Sequence, residues 1–81
     1  MTNEMMVIEA FNAACKEFSV DVHIKELETG KYMISEGDKF VSAGFFDEMN
    51  KYMRKYTDKI SETKSDFRAT VRKNLFSLMG C

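Results

Sequence analysis

The residues that could carry chemistry in this chain are few, and they lie far apart in the sequence. There is a single histidine, His23, and the two cysteines, Cys15 and Cys81, are distant from each other. Ser61 and Lys64 have the Ser-x-x-Lys spacing of some acyl enzymes, but none of the motifs that accompany it is present. Acid–base and nucleophilic catalysis need groups held within hydrogen-bond reach of one another. The sequence therefore predicts no catalytic site, and we expect a protein that is not an enzyme.

Metal and cofactor sites are not predicted either. The chain has no CxxC pair and no Cys/His pair at zinc-ligand spacing. Its four glycines stand singly, so no glycine-rich loop is available to cradle a phosphate group. His23 lies at an outward position of an alternating strand pattern, which is typical of a solvated residue. Cys15 is expected to be a buried, reduced thiol, and Cys81 is expected to be exposed.

Methionine and phenylalanine are unusually frequent, with seven of each in 81 residues. A stripe of such residues at helical spacing normally faces the core. This predicts buried positions for Phe11, Phe45, Met49, Tyr56 and Phe67. The other apolar residues of the predicted helices exceed what single buried faces can hide, and flexible or aromatic side chains are favoured where a surface must fit a partner. We therefore predict a partner-binding patch, whose members are Met5, Phe46, Met53, Phe76 and Met79.

A row of basic residues predicts an alternative function. On a helical wheel Lys51, Arg54, Lys55 and Lys59 share the side away from the apolar stripe. Such a row is what binding to the nucleic-acid backbone requires. Acidic residues in the same segment and a pI near 5.8 count against this interpretation.

The formal net charge of −1 hides an asymmetry along the chain. Residues 1–40 carry four basic and eight acidic side chains, whereas residues 41–81 carry eight basic and five acidic ones. The simplest interpretation is that the two halves attract each other across the fold.

The first half of the chain predicts a helix followed by a sheet. Apolar residues recur at helical steps over residues 2–18, with Thr2 or Asn3 as the N-cap and Asn12 on the solvent side. From Val20 the pattern alternates, which indicates a strand with one buried face. Gly30 and Gly37 mark two tight turns that separate three short strands, the third over residues 39–42. An antiparallel meander follows from this order.

The second half predicts two helices, over about residues 43–60 and 65–79, with Ser42 as the first N-cap and Gly80 ending the second helix. The polar stretch SETKSD separates them. The alternative is one long helix, which would imply a dimer through a helical seam. The prediction is one α+β domain over residues 1–81, with an N-terminal helix, a three-stranded antiparallel meander and two C-terminal helices packed on one sheet face.

The chain lacks a run of about 18 apolar residues that could span a membrane. Its N-terminus, MTNEMM, lacks the features of a secretion signal, so a cytoplasmic protein is expected. In size and in element order the chain resembles small phage-encoded inhibitors such as anti-CRISPR proteins, which block a larger host protein. The resemblance rests on layout and implies no residue roles. The predicted function is a small protein-binding module, an inhibitor of viral type or a regulatory accessory, that binds a protein partner or a second copy of itself.

Overall fold

The computed structural model describes residues 2–80. Its elements in chain order are α1 (Asn3–Glu17), β1 (Val22–Glu28), β2 (Lys31–Glu36), β3 (Lys39–Gly44), α2 (Phe46–Ser61) and α3 (Phe67–Leu78). This order confirms the predicted α+β fold. The C-terminal region forms two helices, so the alternative of one long helix is wrong.

The three strands form an antiparallel meander in the order β1-β2-β3. Ile24 of β1 lies opposite Ile34 of β2, which in turn lies opposite Ser42 of β3. The two turns contain Gly30 and Gly37, whose φ angles are +79° and +62°. Residues with a Cβ rarely adopt this conformation, which explains why a glycine stands in each turn.

Strand β3 contains a bulge at Val41. Ser35 of β2 pairs with Phe40, while the preceding Ile34 pairs with Ser42, so Val41 has no partner of its own. Because of this extra residue, the Val41 side chain points to the core side of the sheet, where it packs against the core cluster that contains Ile34. Phe40 lies with Ser35 on the opposite face, because directly paired residues share a face.

Helices α1 and α2 pack on one face of the sheet, and α3 packs against these two helices. The covered face carries Val22, Ile24 and Ile34, which are all buried. The central residue between the helices is Phe67 of α3, which is fully buried. Its ring meets Phe11 and Phe18 edge to face, with centroid distances of 6.1 and 5.6 Å. The third helix therefore belongs to the core. It packs mainly on α1 and α2, whereas both C-terminal helices were predicted to pack directly on the sheet face, because α1 and α2 already cover that face.

Helix α1 has well-defined ends. The Thr2 side chain accepts a hydrogen bond from the Met5 backbone N–H at 3.2 Å, which confirms the predicted N-cap. At the other end the Val20 N–H donates to the Cys15 carbonyl at 2.8 Å. Between these two residues, Ser19 has a φ of +58°. This left-handed conformation is usually adopted by glycine at the end of a helix. The chain can then enter β1 immediately.

The predicted N-cap of α2 is wrong. Ser42 lies inside β3, because the strand continues through Gly44, which pairs with Tyr32 of β2. Phe45 is the N-cap residue, and it makes no side-chain capping bond. Hydrogen bonding to a neighbouring strand therefore outweighed the capping preference of serine at this point.

Asn12 joins α1 to the edge of the sheet. Its side-chain Nδ2 donates to the Ile24 carbonyl, and its Oδ1 accepts from the Ile24 backbone N–H, both at 2.8 Å. The amide group thus takes the place of a neighbouring strand at this one residue. The predicted solvent-facing position of Asn12 is wrong, because α1 lies beside β1 closely enough for the side chain to reach its backbone.

Candidate protein-binding surface

The C-terminal end of α3 exposes a group of apolar side chains. Phe76 and Met79 are each 53% exposed, and Leu78 is 38% exposed. Residues three positions apart lie on the same side of a helix, so Phe76 and Met79 share one face. We call Phe76, Leu78 and Met79 the α3-end patch. Large apolar side chains that are exposed together mark interaction sites more often than isolated ones do.

An apolar crevice adjoins the α3-end patch. It has a volume of about 210 Å³ and lies between the N-terminal turns of α1 and the C-terminal turns of α3. The lining residues are Asn3, Met6, Val7, Leu75 and Met79. Since Met79 belongs to both features, the exposed patch continues into a depression that can receive an apolar side chain.

The predicted partner-binding residues do not all lie together. Phe76 and Met79 share the α3-end patch. Met5 is half-buried on the side of α1 that faces the sheet, where it lines a separate crevice with Tyr32. Phe46 is half-buried and packs against the core. The surface that the structure brings together is therefore the C-terminal part of the predicted set.

For Met53 and Phe45 the predicted exposure is wrong, in opposite senses. Met53, predicted to face a partner, is only 4% exposed and belongs to the core. It follows the buried Met49 by one helical turn, so both residues lie on the same face of α2. Phe45, predicted to be buried, is 67% exposed. It precedes the first helical turn with extended backbone angles, so the helical spacing used to place it does not apply.

Further exposed apolar side chains lie on the sheet, where they were not predicted. Phe40 projects from the face that no helix covers. Leu27 follows Glu26 in β1, and Phe45 follows Gly44 of β3, just beyond two residues that both pair with Tyr32. Leu27 and Phe45 therefore lie at the same end of the sheet. The only sequence signal for them was their position next to a turn or a strand end.

The basic row of α2 lies at the surface. Lys51, Arg54, Lys55 and Lys59 are all exposed. Within residues 2–80 none of the four makes an ion pair. The row is therefore accessible to an anionic partner.

The two oppositely charged halves of the chain are not held together by ion pairs. In the part of the chain that the structure describes, the ion pair found joins Arg68 to Asp58 at 2.6 Å, and both residues belong to the second half. One carboxylate of the first half does contact the second half: Glu36 Oε1 accepts a hydrogen bond from the Tyr56 hydroxyl at 3.1 Å. Attraction between the two halves stays a prediction, since direct ion pairs between them are not found among residues 2–80.

Several ionisable groups have shifted pKa values. Burial raises the pKa of the Cys15 thiol to about 12, so the thiol is protonated at neutral pH. Burial, with smaller effects of Glu26 and Glu4, raises the pKa of Tyr32.

His23 is exposed on β1, as predicted from the alternation. The prediction for Cys81 lies outside the described residues.

The described residues contain neither a cluster of metal ligands nor a membrane-spanning helix. Over residues 2–80, no three or more His, Cys, Asp or Glu side chains are placed to hold a metal ion together. Nor does this range contain a helix with both the length and the apolar character needed to cross a bilayer. In comparisons with known proteins, no family model, no curated protein and no solved structure matched the chain.

Proposed function

We propose that this protein is a small non-enzymatic module that binds a larger protein, as an inhibitor or a regulatory accessory. The observation that supports this most is the exposure of Phe76 and Met79 beside an apolar crevice. Single exposed apolar residues are common and need no explanation. Here an aromatic ring and a flexible thioether lie on one helical face next to a depression, which is the arrangement of an interface centre.

Charged residues lie in the neighbouring turns of the α3-end patch. Arg72 and Lys73 are exposed one turn before Phe76, and Glu4 is exposed in the first turn of α1. In protein interfaces the apolar centre contributes most of the binding energy, while the charged rim governs orientation and association rate. The patch therefore has the composition of a binding site.

The proposal predicts that charge in the α3-end patch abolishes partner capture without unfolding the protein. In the double variant Phe76→Glu/Met79→Glu, binding would bury two carboxylates against an apolar partner surface, which is strongly unfavourable. We expect loss of the captured protein in affinity purification from the native host followed by mass spectrometry. The melting temperature should change little, because both side chains are already exposed.

The matched control is Phe40→Glu, which also adds a charge at an exposed phenylalanine, but on the sheet face that no helix covers. It should retain capture. Capture that survives the double variant, or that is lost equally in the control, would contradict a site at the end of α3. Light scattering of the purified protein shows whether it associates with a second copy of itself. Adding the purified protein to the captured partner distinguishes inhibition from activation.

A second candidate function is binding to nucleic acid. The specific observation in its favour is the exposure of Lys51, Arg54, Lys55 and Lys59 without ion pairs among the described residues. Fluorescence anisotropy with labelled duplex DNA should then show affinity that falls steeply with salt, with a log–log slope of about −0.9 for each phosphate contacted. Replacing Lys51, Lys55 and Lys59 by glutamate should remove binding. No binding, or binding insensitive to salt, excludes this function.

A further inference from the structure

A groove with an apolar floor lies between α2 and α3. Its volume is about 570 Å³, and it is open to solvent along one side. The floor consists of Val7 and Phe11 of α1, Met53 of α2 and Val71 of α3. Helix α3 packs mainly on α1 and less on α2, so the two C-terminal helices leave the groove between them. Although Met53 is largely buried, its side chain forms part of this floor.

An ion pair spans the groove. Arg68 of α3 and Asp58 of α2 both line it, and the Arg68 Nη2 atom lies 2.6 Å from Asp58 Oδ1. The contact connects the last turns of α2 with the first turn of α3, close to the turn that joins them. It compensates one positive charge of the groove with one negative charge.

The wall formed by α2 carries three polar side chains that have no partner. Asn50, Arg54 and Thr57 follow one another at helical spacing and all line the groove. Among residues 2–80 none of them makes a side-chain hydrogen bond, and Arg54 makes no ion pair. The groove therefore combines an apolar floor with an uncompensated guanidinium group on its rim.

We propose that this groove binds an amphipathic helix of the partner protein, with apolar side chains on the floor and a carboxylate paired with Arg54. This inference rests on the proposed protein-binding function and adds a second contact surface with a defined chemistry. A guanidinium group has donors in a planar fork that matches a carboxylate, which favours an acidic residue at this place.

The shape of the groove favours a helix over a small molecule. Pockets for small ligands enclose most of the ligand surface, whereas this groove is open to solvent. Two helices form its walls and a third lies beneath, so an added helix can pack its ridges against side chains already at helical spacing. Helix-in-groove recognition uses apolar anchors at steps of three and four residues.

The test uses two synthetic amphipathic peptides. Both carry leucines at steps of three and four residues; one has glutamates flanking the leucines, and the other has lysines at the same positions. In NMR titrations of the ¹⁵N-labelled protein, we expect the glutamate peptide to shift the amide signals of Phe11, Met53 and Val71, which line the groove and not the crevice beside the α3-end patch. We expect it to bind at least about tenfold more tightly than the lysine peptide, since hydrogen bonds to charged groups typically contribute this much.

Two charge reversals on neighbouring residues decide the role of Arg54. Arg54→Glu should weaken binding of the glutamate peptide by at least about tenfold, and the variant should prefer the lysine peptide. Lys55→Glu makes the same change in net charge outside the groove, and it should leave the preference unchanged. Equal effects of the two variants would mean a general charge effect and would overturn the proposal.

The location of the shifts separates this inference from the proposed function. If neither peptide shifts the groove amides, or if the shifts fall on the α3-end patch instead, the groove is not a helix-binding site. Partner capture that depends on Phe76 and Met79 would still stand in that case. If capture fails but the peptides behave as expected, the groove stands and the α3-end patch does not.

Discussion

Replacing Asn12 with alanine is expected to lower the free energy of unfolding by about 2–4 kcal/mol. The substitution removes two hydrogen bonds of 2.8 Å and leaves the N–H and the C=O of Ile24 without their partner. Each backbone group that loses its partner in a partly buried place costs about 1–3 kcal/mol. Urea unfolding followed by circular dichroism measures the change. Because a small domain has only a few kcal/mol of net stability, the loss should be evident in the transition midpoint.

The matched control is Asn74→Ala. Asn74 donates a single hydrogen bond to the Ala10 carbonyl, at the longer distance of 3.3 Å. Like Asn12→Ala, the substitution Asn74→Ala removes a side-chain amide from a helix. Because only one, longer hydrogen bond is lost, it should lower the free energy of unfolding clearly less than Asn12→Ala does. Equal losses for the two variants would show that the contact with Ile24 has no special role.

Asn12→Asp gives an additional check through pH. The ionised carboxylate can accept from the Ile24 N–H but cannot donate to the Ile24 carbonyl, which it repels. Only the protonated form restores both bonds, so folding should raise the pKa of this carboxyl group. A raised folded-state pKa means that the variant is most stable at low pH and loses stability as the pH rises through that pKa.

Replacing Phe67 with alanine is expected to lower the free energy of unfolding by about 3–5 kcal/mol. Phe67 is fully buried, and its ring makes edge-to-face contacts with Phe11 and Phe18. Truncation removes these contacts and leaves a cavity at the place where α3 joins the core. Thermal and urea unfolding should show a protein close to the limit of its stability at 25 °C.

Phe76→Ala is the control for Phe67→Ala. It truncates the same residue type on the same helix, but at an exposed position, and should change stability by no more than about 0.5 kcal/mol. Phe67→Leu should recover part of the loss by refilling the cavity. A small effect of Phe67→Ala, similar to that of Phe76→Ala, would contradict the central position of this ring.

The fold was predictable because each segment carries a distinct period. Helical steps through Phe11 and alternation from Val22 to Ile24 correctly distinguish α1 from β1, and the glycines at the turns separate the strands. Boundaries were less predictable where two local preferences compete. At Ser42 the capping preference of the side chain conflicts with strand pairing, and only the partner strand decides between them.

The candidate surface was only partly predictable, because exposure depends on how elements pack. Spacing identifies that α2 has an apolar face, but the exact start of the helix decides whether Phe45 or Phe46 belongs to it. The groove depends on the separation of α2 from α3, which no pattern within either helix encodes. The contact of Asn12 with Ile24 likewise requires two segments to meet and has no signal in the sequence around either residue.

Both outer strands of the sheet carry features that hinder the addition of another strand. On β1 the side chain of Asn12 occupies the backbone groups of Ile24, and on β3 the extra residue Val41 interrupts the regular spacing of N–H and C=O groups. A chain approaching either edge therefore meets an interruption in the ladder of N–H and C=O groups. We expect these interruptions to disfavour growth of the native fold into cross-β fibrils, so that aggregation begins from unfolded chains.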